Sequence, residues 1–214
     1  AISRTVANDL CIHLGVPAEA VTPIYGAQIK RKRIKAKPVD AVEGTKYVLM
    51  PTGDDYRKNN RRAALAFNEF NRKHGSTYKL VITSFFGDRT QKELRSYCED
   101  IIFTGNVPEA ELSWLYENAE LVLFPSEYEG LGLPIMEAVE FGKPVVCSGI
   151  DVFKEIHDEA FTFCDPYDIQ DIEAALSAAI GLEINQEFYR QILKKYSWKN
   201  TSDLMIDRLE NIVL

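Results

Sequence analysis

Short runs of apolar and β-branched residues alternate with amphipathic stretches along the chain from residue 46 onward. Most of these runs are apolar at every position, which is typical of strands that are buried on both faces of a sheet. Helical stretches separate most of these runs, and this rhythm predicts an α/β fold with a doubly wound, Rossmann-like parallel sheet. The predicted strands are 47–50, 79–83, 101–104, 121–124, 144–147 and 161–163, and the predicted helices are 61–73, 91–98, 108–118, 135–141 and 169–180.

The ends of the chain depart from this rhythm. Ser3 is placed to cap a helix that continues to about Leu14, and residues 21–25 form a short β-like run. The basic stretch 30–38 is interpreted as a solvated linker, although such a run could also contact RNA or direct nuclear import. We therefore divide the chain into 1–45 as a linker region, 46–183 as the α/β domain, and 184–214 as two C-terminal helices with Tyr196 and Trp198 as packing anchors.

Composition restricts the partners. Acidic residues outnumber basic ones by 32 to 25, the net charge is -7 and the pI is near 5.1, so no nucleic-acid partner is expected. The apolar run 121–125 is far shorter than the roughly 18 residues of a membrane span. A cytoplasmic location is therefore expected, which leaves room for a longer parent protein that is peripheral to a membrane. The four cysteines form no CxxC pair, which favours reduced, buried thiols.

The segment 124–138 carries the most informative chemistry. A strand ends there, a loop with Gly130 and Gly132 follows, and a helix begins near Pro134, which suits the first helical position. The glycines let the main chain approach a ligand closely, and the helix N-terminus offers amide groups and a positive dipole to an anion. This arrangement predicts a phosphate-binding loop at the carboxyl end of the sheet.

Two glutamates flank this loop. Ionised carboxylates accept hydrogen bonds only, so Glu129 and Glu137 are suited to vicinal hydroxyls such as those of a ribose or a hexose. The simpler interpretation is that both acids only complement the helix dipole. The combined pattern of glycines, helix start and spaced acids favours the ligand-binding interpretation.

Other site types fit less well. Gly130-x-Gly132 lacks the third glycine of a dinucleotide fingerprint because Ile135 occupies that position, which disfavours a dehydrogenase. Asp54 and Asp55 are interpreted as turn residues rather than metal ligands. His13, His74 and His157 match neither a catalytic triad nor a metal-ligand spacing, and no metal or cofactor is expected.

At these residues the sequence resembles the retaining glycosyltransferases of GT-B fold, glycosyltransferase family 4 in particular. Glu129-x7-Glu137 is similar to the family's E-x7-E signature, and the segments 103–107, 111–119, 142–146 and 165–166 are similar to its other elements. The resemblance covers nearly the whole chain. It implies a donor-binding C-terminal half of a GT-B enzyme. Within it, 1–45 would be the end of the N-terminal domain and the interdomain linker, 46–183 the nucleotide-sugar-binding domain, and 184–214 the helices that return toward the N-terminal domain.

The resemblance also implies residue roles. Glu129 would face the donor sugar, Glu137 would hold the ribose, Lys58 would contact the diphosphate, and the turn 104–107 would hold the base. The family usually carries an Arg five residues before that Lys, where this chain has Gly53, so Arg57 would substitute or one phosphate contact would be missing. The implied catalytic residues are Glu129 and Lys58, and the implied donor-binding residues are Arg57, Gly53, Thr104, Gly105, Asn106, Val107, Gly130, Leu131, Gly132, Leu133 and Glu137.

The implied reaction is transfer of a hexose from a nucleoside diphosphate sugar, with retention of configuration, in polysaccharide or glycoconjugate synthesis. The acceptor, a glycan, lipid or small molecule, would be bound by an N-terminal domain outside this chain, so this chain alone would be inactive. Two alternatives stay open: a non-catalytic nucleotide-sugar-binding subunit, and a sugar-nucleotide epimerase or phosphorylase of GT-B fold.

Overall fold

Six parallel strands and the helices between them dominate the computed structural model, which describes residues 1–27 and 34–213, and only the backbone of 211–213. The strands are β1 Lys46–Met50, β2 Tyr78–Thr83, β3 Ile101–Gly105, β4 Leu121–Phe124, β5 Val145–Ser148 and β6 Thr162–Cys164. The helices are α1 Arg4–Leu14, α2 Asn60–Lys73, α3 Asp88–Tyr97, α4 Glu109–Asn118, α5 Leu133–Glu140, α6 Asp151–Ile156, α7 Ile169–Ala179, α8 Gln186–Lys195 and α9 Trp198–Val213.

The strands form one sheet in the order β3-β2-β1-β4-β5-β6, and every pair is parallel. The chain moves outward from β1 to β3 and then returns to place β4 on the other side of β1. This reversal creates a topological switch point between the carboxyl ends of β1 and β4, where open α/β sheets bind their ligands. The predicted Rossmann-like parallel sheet is confirmed.

The continuous apolar runs are explained by two core layers. Tyr47 and Leu49 belong to the layer that also contains Ile135 and Met136 of α5, whereas Val48 and Met50 pack in the layer of α2 and α7. Successive residues of a strand point to opposite faces, so a strand covered on both faces needs an apolar residue at every position. All four of these β1 side chains are at most 1% exposed.

Helix α1 follows the prediction closely. The Ser3 hydroxyl accepts a hydrogen bond from Val6 N at 3.1 Å, which satisfies one of the amides that a helix start leaves without a partner. Gly15 ends the helix in the left-handed conformation at φ 65°.

The structure corrects several predictions at the ends of elements. Residues 21–25 join no strand pairing, because Tyr25 packs in the core against Tyr196 and Ile24 N donates to Ala1 O instead. Tyr196 is buried as predicted, but Trp198 begins α9 and is 63% exposed, so its role as an anchor was wrong. Helix α6 was not predicted, since six residues give too short a pattern to show helical periodicity.

The basic stretch is described only in part. Lys30 and Arg33 lie outside the described residues, whereas the Lys37 side chain is largely exposed and pairs with Glu111 at 3.4 Å. Among the helices that the structure describes, none combines the length and the apolar character needed to cross a membrane.

Candidate functional site

Two loops meet at the switch point between β1 and β4. The first, 51–59, follows β1 and ends in a 3-10 turn, Tyr56–Lys58, whose start is capped by the Asp55 carboxylate through Arg57 N at 2.9 Å. The second, 125–132, follows β4 and leads into α5. The capping role of Asp55 agrees with its interpretation as a turn residue.

Lys58 and Glu129 come together from these two loops. Lys58 Nζ lies 2.5 Å from Glu129 Oε1, and the side chains are 22% and 14% exposed. The same ammonium lies 5.1 Å from the centre of the Phe124 ring. Partial burial reduces solvent screening, so this pair interacts more strongly than an ion pair on an open surface. The structure therefore brings the two residues predicted to be catalytic into direct contact.

Asn59, which the sequence analysis missed, fastens the two loops together. It adopts φ 60°, and its side-chain amide donates to Pro125 O at 3.1 Å and to Pro166 O at 2.6 Å. Glu127 N adds a backbone hydrogen bond to Arg57 O at 2.7 Å. The available signal was local: asparagine tolerates the left-handed conformation better than most residues do, and it directly precedes α2.

Glu137 is held inside the site by a tyrosine. The carboxylate is 8% exposed, and its Oε2 accepts a hydrogen bond from the Tyr116 hydroxyl at 2.7 Å. Tyr116 is itself stacked on Phe141, with ring centres 5.5 Å apart and planes 6° from parallel. Glu137 is therefore oriented by a packed aromatic pair, and its place on α5 offsets it from Glu129, which precedes that helix.

The glycines of the second loop are required by close packing. Gly132 has φ 92°, and a Cβ at this position would lie 2.8 Å from the Phe153 ring. At Gly130 a Cβ would lie 2.9 Å from Ile2 Cδ1. Only glycine satisfies both the backbone angle and the space at Gly132.

The start of α5 is one residue earlier than expected. Leu133 is its first residue, so Pro134 occupies the second position rather than the first. A proline is compatible with either position, because the first amides of a helix have no partner within the helix. The amides of α5 thus begin directly after Gly132, as an anion-binding helix N-terminus requires.

Gly53 stands where the resemblance implies an arginine, and Arg57 is the residue expected to substitute for it. The Arg57 guanidinium donates two hydrogen bonds to the Asp55 carboxylate, from Nη2 to Oδ2 at 2.8 Å and from Nε to Oδ1 at 3.2 Å. These bonds hold the pKa of the Asp55 carboxyl at about 2, below its ordinary value. A Cβ at Gly53 would meet no atom within 4 Å, so the first atom of a side chain is accommodated there.

The predicted base-binding turn lies at the carboxyl end of β3, two strands from β1. Gly105 has φ 68° and its carbonyl accepts from Ser84 N at 2.9 Å, which ties the turn to the loop after β2. The Thr104 hydroxyl donates to Gly105 O at 3.1 Å, and Val107 packs against the core. Thr104, Gly105, Asn106 and Val107 therefore lie on the same edge of the sheet as Glu129, at its far side.

A cavity of about 430 Å³ adjoins the first loop. Its wall includes Arg62, whose guanidinium donates to Glu127 Oε1 at 2.7 Å and lies 5.3 Å from the Tyr167 ring centre. The sequence analysis missed Arg62, Glu127 and Tyr167 because they come from three separate elements. The lining contains neither Glu129 nor Glu137.

Known proteins share this fold. The chain is 36% identical over 115 residues to O-antigen chain mannosyltransferase B of Escherichia coli, covering 50% of this chain and 29% of that protein. The structure is similar to a glycosyltransferase from Rickettsia africae ESF-5, with a TM-score of 0.81 and 14% identity, over 100% of this chain and 62% of the other. It is also similar to HepE of Anabaena, solved with UDP and glucose, with a TM-score of 0.76 and 18% identity, over 99% of this chain and 62% of the other.

Each match covers a larger share of this chain than of the matched protein. The chain spans less than a third of the mannosyltransferase and about three fifths of the two solved structures. The profile of the family described as glycosyl transferases group 1 matches residues 31–197, which include both loops of the switch point, Glu129 and Glu137. This chain belongs to the glycosyl transferases group 1 family.

Proposed function

We propose that this chain binds the donor of a retaining glycosyltransferase, a nucleoside diphosphate hexose. The observation that carries the proposal is the contact of Lys58 with Glu129 at 2.5 Å, beside the N-terminus of α5. A diphosphate joined to a sugar presents anionic phosphates beside sugar hydroxyls. The cation and the helix amides suit the phosphates, and the carboxylate suits the hydroxyls.

The donor would lie along the carboxyl edge of the sheet. Its diphosphate would accept hydrogen bonds from the amides of Gly130 to Leu133 and meet the ammonium of Lys58. Glu137 would accept from the ribose hydroxyls, in the orientation that Tyr116 gives it. The base would reach the turn 104–107.

Donor binding would exchange one ion pair for another. Lys58 neutralises Glu129 in the structure, and a diphosphate offers it a stronger anionic partner. As Lys58 turns to the phosphate, the Glu129 carboxylate becomes available to the hydroxyls of the sugar. This one movement of the Lys58 side chain would make the phosphate contact and the sugar contact available together.

In the transfer itself, the bond between C1 of the sugar and the phosphate oxygen breaks, and its electron pair leaves with the nucleoside diphosphate. The acceptor hydroxyl oxygen bonds to C1 on the face that the phosphate left, and its proton passes to the oxygen of the departing phosphate. Lys58 and the α5 amides stabilise the charge that develops on the departing diphosphate. The acceptor, a glycan, lipid or small molecule, would be bound by a further domain of the parent protein, and mannosyl transfer would match the named relative.

A thermal-shift panel of UDP, GDP and ADP, each with and without an attached glucose or mannose, tests the proposal. A ligand that binds the native state raises the melting temperature. At a ligand concentration of 100 times its Kd, the added free energy of unfolding is about 2.7 kcal/mol. We expect one diphosphate series to give a shift and this chain alone to transfer no sugar, since water has access to the bound donor. Absence of a shift throughout the panel contradicts the proposal.

Gly53 favours a second candidate, a nucleotide-sugar-binding subunit without turnover, because the family's arginine is absent there. The Gly53→Arg variant of the parent protein separates the two. If the natural site is catalytic, turnover is measurable before the substitution and the arginine mainly tightens diphosphate binding. If transfer appears only after the substitution, the non-catalytic subunit is the correct assignment.

A further inference from the structure

Helix α1 is held at its N-terminus by the carboxylate of Glu155, which lies 151 residues after Arg4 in the sequence. Glu155 Oε1 accepts from Arg4 N at 2.7 Å, and its Oε2 accepts from Thr5 N and from the Thr5 hydroxyl, both at 3.0 Å. The first amides of a helix have no partner within the helix and carry partial positive charge. Glu155 therefore fixes both the position and the direction of α1 on the α/β domain.

Glu155 is itself firmly placed. Its backbone carbonyl accepts from Lys195 Nζ at 2.9 Å and from the Tyr196 hydroxyl at 3.3 Å. Tyr196 is 2% exposed and packs edge-on against Tyr25, with ring centres 5.4 Å apart. The clamp on α1 is thus anchored in the packed core rather than on a mobile surface.

Side chains of the same segment also contact the loop that carries Glu129. The Tyr128 hydroxyl donates to Asp9 Oδ2 at 2.7 Å. A Cβ on Gly130 would lie 2.9 Å from Ile2 Cδ1 and 3.7 Å from Val6 Cγ2. Val6 and Asp9 lie about one turn apart on α1, and Ile2 directly precedes its N-cap. This segment therefore touches the loop on both sides of Glu129.

These contacts connect Glu155 to Glu129 through α1. We propose that Glu155 and Asp9 are positioning residues, which hold α1 against the loop 128–130 and thereby set the place of the Glu129 carboxylate. The inference rests on the proposed function, because it gives α1 a role in recognition of the sugar part of the donor. Neither residue needs to touch the donor for this role.

The test combines hydrogen exchange with calorimetry on Glu155→Gln, Tyr128→Phe and the double variant. Glu159→Gln, an exposed acid in the loop after α6, is the matched control. The ligands are UDP with UDP-glucose and GDP with GDP-mannose. We expect Glu155→Gln to raise amide exchange in 4–14 and also in 126–133, while the control changes neither segment.

We further expect Glu155→Gln and Tyr128→Phe each to weaken the sugar nucleotide by about three- to tenfold, while the diphosphate alone stays within about twofold. The double variant should lose less than the product of the single losses, because both substitutions interrupt one connection. A purely structural role would lower the melting temperature and leave the ratio of the two affinities unchanged.

The outcomes separate the two proposals. If the unaltered chain binds none of these ligands, the proposed function fails, and hydrogen exchange alone decides whether α1 holds the loop. If the chain binds a sugar nucleotide but Glu155→Gln raises exchange only in α1, the positioning role is wrong while the proposed function stands. Multiplicative losses in the double variant would also overturn the positioning role.

Discussion

The Lys58 ammonium and the Glu129 carboxylate form a 2.5 Å ion pair across the two loops that meet at the switch point of the sheet. Each residue follows a different strand, β1 and β4, and these strands are neighbours although 71 residues separate Lys58 from Glu129. The pair keeps two partly buried charges compensated until a ligand replaces one partner. The effects of substituting either residue should therefore depend on the ligand.

Lys58→Ala should weaken a nucleoside diphosphate much more than the corresponding nucleoside, because the ammonium is expected to meet only phosphate. A charge-assisted hydrogen bond contributes about 1.5 to 3 kcal/mol, or about 10- to 150-fold in affinity. Calorimetry with both ligands measures the difference, and Lys199→Ala, on the exposed face of α9, is the control. Equal losses for diphosphate and nucleoside would place Lys58 outside the phosphate site.

Asn59 should contribute to stability through its backbone angle as well as its hydrogen bonds. Asn59→Ala removes both donated bonds and keeps a strained φ of 60°, so we expect a loss of about 2 to 4 kcal/mol in the free energy of unfolding. Asn59→Gly loses the same bonds without the strain and should be about 1 kcal/mol more stable than the alanine variant. Urea denaturation compares the two, and identical midpoints would show that the angle costs nothing.

The sheet was predictable because its signal is local and repeated. Strands covered on both faces need apolar residues throughout, and the runs around Val48 and Val122 show this directly in the sequence. The loop and helix start of the candidate site were predictable because Gly130, Gly132 and Pro134 are close in sequence. The contacts of Asn59, Tyr116 and Glu155 were not, because each joins positions that only the folded chain brings together.

Gly132→Ala should distort the loop 125–132, whereas Gly53→Ala should be tolerated. The first variant places a Cβ 2.8 Å from Phe153 at φ 92°, and the second places it in open space. We expect a stability loss of about 1 to 3 kcal/mol for Gly132→Ala, with loss of nucleotide binding. Gly53→Ala should stay within about 0.5 kcal/mol of the unaltered chain. Thermal denaturation with and without ligand distinguishes the variants, and equal behaviour would contradict the packing argument.

The thiols should differ sharply in reactivity. Burial raises the pKa of Cys98 to about 11 and that of Cys164 to about 12, and it also raises the pKa of Cys147 well above its ordinary value. The thiolate is the reactive form, so these three should resist iodoacetamide at pH 8 in the folded chain, while the partly exposed Cys11 is labelled. Peptide mass spectrometry reads the sites, and urea should expose all four. Labelling of Cys147 before Cys11 without denaturant would contradict its burial.

The two glutamates should have separable roles, since Glu137 is enclosed beside Tyr116 and Glu129 precedes the helix. Glu137→Gln keeps the shape but removes the charge that strengthens hydrogen bonds to ribose hydroxyls, so every nucleotide should bind more weakly, with or without a sugar. Tyr116→Phe, which removes the hydroxyl that orients Glu137, should give the same profile with a smaller loss.

Glu129→Gln should weaken the intact sugar nucleotide, because the proposed partner of its carboxylate is the hexose. It should not weaken the diphosphate alone, because the substitution also frees Lys58 from its ion pair for the phosphate. If both acids served only to complement the dipole of α5, each would contribute about 0.3 to 1 kcal/mol to stability and neither would alter ligand preference. Calorimetry with the diphosphate and its sugar conjugate, on variants whose folding is checked by circular dichroism, decides between these results. The same ligand profile for Glu129→Gln and Glu137→Gln would overturn the division of roles, since only the proposed ribose contact is shared by ligands with and without a sugar.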